Sequence, residues 1–200
     1  MKHKHEIFSV PVFEFELDKE KYELDTEELK EFVETFKNLP SRSAVYSNIG
    51  GFQSTDLPLD KPCATWPLVN AIEQTLNDSL LFERKGEKGF DRHFKNYQIV
   101  YNMWFNINKK KDSNAPHLHP FSIYSGVYYL ETPENCGYLQ FEHPALDLLH
   151  YYSRGEGGVF RFPAEENKMY VFPSWLKHSV TPNQSEEERI SFSFNTKNGV

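Results

Sequence analysis

Three histidines and one arginine are the residues of this 200-residue chain whose spacing could do chemistry. His117 and His119 are separated by one residue in the stretch Asn114 to Leu130, Asn-Ala-Pro-His-Leu-His-Pro-Phe-Ser-Ile-Tyr-Ser-Gly-Val-Tyr-Tyr-Leu. In an extended segment, residues i and i+2 point to the same side. Two imidazoles can therefore be aimed at one point, as a metal ion requires. His178 lies in a second dense stretch, Phe172-Pro-Ser-Trp-Leu-Lys-His-Ser-Val. Neutral imidazole suits Fe, Zn, Cu and Ni, and two or three protein ligands on one face leave positions open for substrate. A His-x-His pair alone is a weak signal, because strand histidines are often only half-buried polar positions. The third histidine strengthens it.

Downstream comes Arg189-Ile-Ser-Phe-Ser-Phe-Asn. As a strand, it sends Ile190, Phe192 and Phe194 into apolar packing and turns Arg189, Ser191 and Ser193 the other way. A guanidinium grips a carboxylate in a fork, and an adjacent hydroxyl adds a third bond. A metal site beside an Arg-x-Ser pair suits an acid that chelates metal and shows a carboxylate at its far end. 2-Oxoglutarate has that shape.

Other polar and aromatic residues have weaker claims. Asn106 and Asn114 either line the pocket or bond strand ends. Tyr101, Trp104 and Trp175 are expected in core or pocket wall, with Trp175 packed under the His178 loop. His143 and His150 lie in a long connection, 142–158, that could form a lid, and Glu142 or Asp147 could supply a metal carboxylate. His93, and the terminal His3 and His5, read as solvated. The run Lys109-Lys110-Lys111 is either a solvated loop or an electrostatic lure at the rim.

These residues must be positioned by a scaffold. Phe13, Phe15 and Leu17 alternate with Glu14 and Glu16, which predicts a half-buried strand within 7–17, with Pro11 at an edge or a strand start. Asp25 and Glu28 fit a capping pattern, and Leu29, Phe32, Val33 and Phe36 follow helical spacing over 25–39. Residues 41–61 read as polar loop. Thr65 offers a cap and Pro67 a first-turn position for a second helix carrying Leu68, Val69, Ile72 and Leu76. Residues 85–91 read as a turn. From Tyr97 the character becomes β: 97–107, 122–130, 138–141, 159–162, 169–172 and 190–194, with glycine and proline turns between. This spacing predicts a sandwich or barrel. Residues 1–200 are read as a single domain, 1–96 supporting a β core over 97–196.

The net charge of −7 argues against a general nucleic-acid binder. Cys63 and Cys136 are too few and too far apart for a disulfide framework, which favours reduced thiols. No apolar run approaches a membrane span, and no signal-peptide pattern opens the chain. The expectation is a soluble cytoplasmic protein, of the cell or of an infected host, acting on a small-molecule or peptide substrate.

His117-x-His119 before Ser125-Gly-Val-Tyr-Tyr-Leu, then Pro173-Ser-Trp-x-x-His178-x-Val-x-Pro-Asn, then Glu188-Arg-Ile-Ser-Phe-Ser-Phe-Asn, resemble the 2-oxoglutarate/Fe(II) oxygenases of marine bacteria and cyanophages, relatives of the prolyl-hydroxylase-like group. The likeness covers about residues 97–196. It implies a mainly β fold, a double-stranded β-helix (jelly roll, cupin-like) with N-terminal helices packed outside. It implies a dioxygenase that uses Fe(II), 2-oxoglutarate and O2 to hydroxylate a C–H. His117 and His178 would be Fe(II) ligands, and Arg189 with Ser191 would hold the distal carboxylate of 2-oxoglutarate. Tyr129 matches a position that hydrogen-bonds the cosubstrate. The departure is His119, which stands where the usual triad has Asp or Glu. Read as the third ligand, it gives an all-histidine set. The rival readings are a cupin-like metalloenzyme that does not use 2-oxoglutarate and a non-catalytic jelly-roll binding module.

Overall fold

The computed structural model describes residues 10–40, 42–84, 97–145 and 158–199. The elements run β1 (Phe13–Glu16), α1 (Thr26–Lys37), β2 (Ser43–Ala44), β3 (Asn48–Ile49), β4 (Phe52–Ser54), α2 (Trp66–Arg84), β5 (Gln98–Asn108), β6 (Ser113–His117), β7 (Tyr124–Glu131), β8 (Tyr138–Glu142), β9 (Val159–Pro163), β10 (Lys168–Pro173), β11 (His178–Val180) and β12 (Arg189–Asn198). A seven-stranded sheet has the order β1-β10-β7-β12-β5-β4-β2, and a five-stranded sheet the order β3-β6-β11-β8-β9.

The alternation along β12 shows how the layers are built. Ile190, Phe192 and Phe194 are buried in a cluster with Leu29, Val33 and Phe36 of α1 and Leu68, Ile72 and Leu76 of α2. The helices therefore cover one face of the large sheet. The other face meets the small sheet through Val127, Tyr129, Tyr170 and Phe172, packed against Leu139 and Phe141. Two facing antiparallel sheets with helices outside are the expected double-stranded β-helix.

Helix α1 starts where its cap dictates. The Asp25 carboxylate accepts from the N–H groups of Glu27 and Glu28, which satisfies donors that have no intrahelical partner. Helix α2 is pinned to β5 by side chains. Asn77 exchanges two 2.8 Å bonds with the Gln98 backbone, and Glu73 accepts from the Val100 N–H at 2.7 Å. Burial raises the pKa of that Glu73 carboxyl, against the lowering effect of the same bond.

Several local expectations are corrected. Residues 41–61 are not wholly loop: β2 and β4 extend the large sheet and β3 the small one. Strands of two or three residues are too short to show alternation, and their hydrogen bonds come from partners distant in sequence, as where Gln53 pairs with Asn106. Thr65 directly precedes α2, where its carbonyl accepts from the Val69 N–H and its hydroxyl donates to Pro58 O at 2.5 Å. β6 and β11 are short strands that composition did not mark. The turn at 85–91, with His93, His3, His5, His150, Asp147 and most of the 142–158 connection, lies outside the described residues.

Candidate active site

His117 ends β6 and His178 begins β11, and the two are direct partners across the antiparallel pair. Their ring centroids are 4.3 Å apart. His119 lies just past the strand, where its N–H donates to Ser174 O at 2.9 Å. Its ring is 5.0 Å from each of the other two. One nitrogen from each ring lies within 4.8 Å of the others.

The hydrogen bonds fix the tautomers. His117 Nδ1 meets Ala115 O at 2.7 Å, and His178 Nδ1 meets Leu176 O at 2.9 Å. His119 Nδ1 meets Asn195 Oδ1 at 2.6 Å. Each partner is a carbonyl oxygen that only accepts, so each Nδ1 carries the proton and each Nε2 keeps its lone pair. Burial lowers the pKa of all three, His119 to about 4 and His178 to about 3. Three neutral imidazoles with free Nε2 lone pairs around one point are a donor set for a divalent transition metal.

Aromatic rings flank this cluster. The Phe172 ring is 4.6 Å from that of His178, and the Trp104 ring 5.5 Å from that of His119. Leu176, not Trp175, is buried, in the cluster that holds Phe141 and Phe172. Trp175 is 56 % exposed, contrary to the sequence expectation, because the turn after Pro173 points it to solvent while Leu176 is buried. His119 is further steadied by Ser125, whose hydroxyl lies 2.9 Å from Nδ1 and 2.6 Å from Asn195 Oδ1.

From the histidines the cavity runs to Arg189, Ser191 and Tyr129. Ser191 pairs with Tyr129 of β7 on one side and Asn106 of β5 on the other. Arg189 is 1 % exposed. Its Nη1 donates to Cys136 O at 2.5 Å, but Nε and Nη2 have no partner, and neither has the Tyr129 hydroxyl. Burial lowers the pKa of Arg189 and raises that of Tyr129. A buried polar group left unpaired costs about 1–3 kcal/mol, more when charged. Two free N–H groups and a phenol in one buried corner match the two oxygens of a carboxylate. The donor set and this corner together fit Fe(II) and 2-oxoglutarate.

Asn106 and Asn114 also line the cavity. Other candidates fall away. Glu142 pairs with Lys177 at 2.8 Å, and His143 Nδ1 accepts from the Ala145 N–H. Lys109 and Lys110 pair with Glu188 and Glu186 at the surface, which is the solvated-loop reading. Sequence reasoning missed Asn195, Ser125 and Ser174. The signal was present for Asn195, which continues the parity of Arg189, Ser191 and Ser193 along β12.

Residues 102–195 match the family model "Putative 2OG-Fe(II) oxygenase". No curated protein matches the sequence. Among solved structures, a prolyl-4-hydroxylase of Pseudomonas putida is 14% identical, with 96% of this chain and 95% of that one covered at a TM-score of 0.60. The viral collagen prolyl hydroxylase of Paramecium Bursaria Chlorella virus-1, solved with 2-oxoglutarate, is 12% identical, with 94% and 96% covered at a TM-score of 0.55. HygX of Streptomyces hygroscopicus, solved with nickel and 2-oxoglutarate, is 10% identical, with 94% and 83% covered at a TM-score of 0.54. These structures share the fold. Residues 102–195, which carry all three histidines, Tyr129 and Arg189, are thus similar to the 2OG-Fe(II) oxygenases, and the activity this supports is that of a 2-oxoglutarate-dependent dioxygenase.

Proposed function

We propose that His117, His119 and His178 hold Fe(II) through Nε2, and that Arg189, Ser191 and Tyr129 hold the distal carboxylate of 2-oxoglutarate. The observation that carries this reading is the unpartnered corner of Arg189 Nε and Nη2 with the Tyr129 hydroxyl. Bound there with O2, the metal and 2-oxoglutarate supply the oxidising power that turns a substrate C–H into C–OH, with succinate and CO2 as co-products.

The chain's own residues perform the rest. Ala115 O, Leu176 O and Asn195 Oδ1 keep the histidine protons on Nδ1, so the rings meet the metal without a proton to shed. Arg189, anchored by Cys136 O, presents two N–H groups to the cosubstrate. Tyr129 adds a third donor, and its raised pKa keeps the hydroxyl proton in place. The Phe172 and Phe141 rings flank His178, which is buried from water.

His119 is read as the third ligand because its tautomer and position match those of the other two. A three-histidine set is also found reasonable for a cupin-like metalloenzyme without 2-oxoglutarate. That second reading leaves the Arg189 corner without a purpose. The substrate is read as a prolyl or small-molecule C–H, supported by the names of the prolyl hydroxylases that share the fold. The motif likeness to oxygenases of marine bacteria and cyanophages supports a source of that kind. Residues 1–200 are read as one domain, because α1 and α2 bury their apolar faces on the sheet that carries Arg189. A cytoplasmic location is supported by the free thiols of Cys63 and Cys136, and no helix among the described residues is long and apolar enough to cross a membrane.

Anaerobic addition of Fe(II) and 2-oxoglutarate tests the reading. A visible charge-transfer band is expected in the parent chain and its loss in Arg189→Ala. An unchanged band and undiminished succinate yield in that variant would remove Arg189 from its role.

A further inference from the structure

The row of polar side chains that includes the cosubstrate corner does not stop there. Across adjacent strands, Tyr129 pairs with Ser191, Ser191 with Asn106, and Asn106 with Gln53 of β4. Asn106, Trp104 and Asn102 share the same face of β5 at steps of two residues. Trp104, His117 and His119 line both the enclosed cavity and a wider, open one bounded by Gln53, Thr55 and Asn102. The open cavity thus reaches the histidines from the β4 side.

Four polar groups along β4, β5 and the residue after β4 are unsatisfied, Asn106 in the enclosed cavity and the other three in the open one. Gln53 Oε1, Thr55 Oγ1, Asn102 Oδ1 and Asn106 Oδ1 are all buried without a partner. Gln53 is 4 % exposed and Asn106 6 %. The Asn106 amide donates to Ser193 Oγ at 3.2 Å, which leaves its oxygen free. Three amide oxygens and a hydroxyl aligned along one wall ask for hydrogen-bond donors. The wall carries little net charge. With the histidines neutral, the charged residues that line the open cavity are Arg42 and Asp56, of opposite sign, and the Arg42 guanidinium lies over the Phe36 ring at 5.1 Å.

We infer that the β4–β5 wall is the substrate subsite and that it takes an uncharged ligand bearing several O–H or N–H donors, not a carboxylate or phosphate. The inference rests on the Fe(II) and 2-oxoglutarate reading for the direction in which the substrate meets the metal, and on Gln53, Asn102 and Asn106 for its chemistry. Acceptors on Asn102 and Asn106 stand four residues apart on one strand, roughly 13 Å. A ligand that engages both spans Trp104, whose indole offers an apolar surface between them. Hydroxyls of a saccharide and amide N–H groups of a peptide share this chemistry.

Calorimetric titration of the full chain tests it, once anaerobically loaded with Fe(II) and 2-oxoglutarate and once unloaded. The probes are maltose, an N-acetylated and C-amidated tripeptide, glutamate and glucose 6-phosphate, each at millimolar concentration. Saturable binding of maltose or of the capped peptide, and not of the charged probes, is expected, and which neutral probe binds identifies the source of the donors. In Gln53→Leu and Asn102→Leu that binding weakens at least about tenfold, or ~1.4 kcal/mol. The ligand-free thermal midpoint holds or rises in both, because each loses an unpartnered amide. Preference for a charged probe, binding of none, or a midpoint that falls with binding unchanged would overturn the inference. Loss of the 2-oxoglutarate titration alone, with neutral-probe binding intact, would instead count against the cosubstrate reading.

Discussion

The two ends of the enclosed cavity are built on opposite principles. At the histidine end every Nδ1 has its partner, and the side that faces the cavity is aimed before anything binds. At the arginine end one of three guanidinium nitrogens is bonded and the rest wait, with the Tyr129 hydroxyl, for an acceptor. The contrast matches the ligands proposed for the two ends. A metal needs lone pairs converging on a point, which outer hydrogen bonds secure. A carboxylate needs free donors, which cannot be satisfied in advance. The histidine end is therefore a stable part of the fold, and the arginine end is a cost the fold carries while these donors lack the acceptor that the proposed cosubstrate carboxylate would supply.

The largest effect should come from the histidine end itself. His178→Ala is expected to abolish Fe(II) binding in an anaerobic titration, while the chain still binds 2-oxoglutarate weakly through Arg189. Retained metal affinity would show that the cluster is not the ligand set. Next comes Arg189→Met, which keeps a long side chain and removes the buried charge. Cosubstrate affinity should fall by about 2–5 kcal/mol, yet the ligand-free thermal midpoint should rise, because an incompletely paired buried cation has gone. A falling midpoint would mean that the corner is already satisfied, and the contrast between the two ends would collapse. Asn195→Ala combined with Ser125→Ala strips both partners from His119 Nδ1 and should weaken metal binding by about 10–100-fold, measured by competition with a chelator. An unchanged affinity would take His119 out of the ligand set. The smallest change is expected for Tyr129→Phe, a loss of about 1 kcal/mol in 2-oxoglutarate binding with no loss of thermal stability. A destabilised variant would show that the hydroxyl has a partner in the folded chain.

Much of the site was legible because it follows parity. His117 and His119 aim at one point, and Arg189 and Ser191 share a face, for the same reason that Ile190, Phe192 and Phe194 share the other. Helix α1 was readable from Asp25 and the spacing of Leu29, Val33 and Phe36. What parity does not carry is the pairing of strands. Nothing local announces that Gln53 lies opposite Asn106, or that His178 lies opposite His117. These are contacts across long sequence separations. Turn geometry is equally silent. The direction of Trp175 against Leu176 depends on the backbone after Pro173, not on hydrophobicity, and the larger apolar ring is the one left outside.

The burial of Arg189 has a consequence for how the protein meets dissolved salt. Mobile ions screen exposed charges over a Debye length of about 8 Å at physiological ionic strength, and buried pairs far less. The Lys109–Glu188 pair, at 3.6 Å with both side chains in solvent, is open to that screening. A guanidinium that is 1 % exposed is not. Concentrated potassium chloride should therefore loosen the surface pairs around the Lys109 turn well before it weakens the hold proposed for Arg189, and on that reading 2-oxoglutarate affinity stays nearly flat across a wide range of salinity.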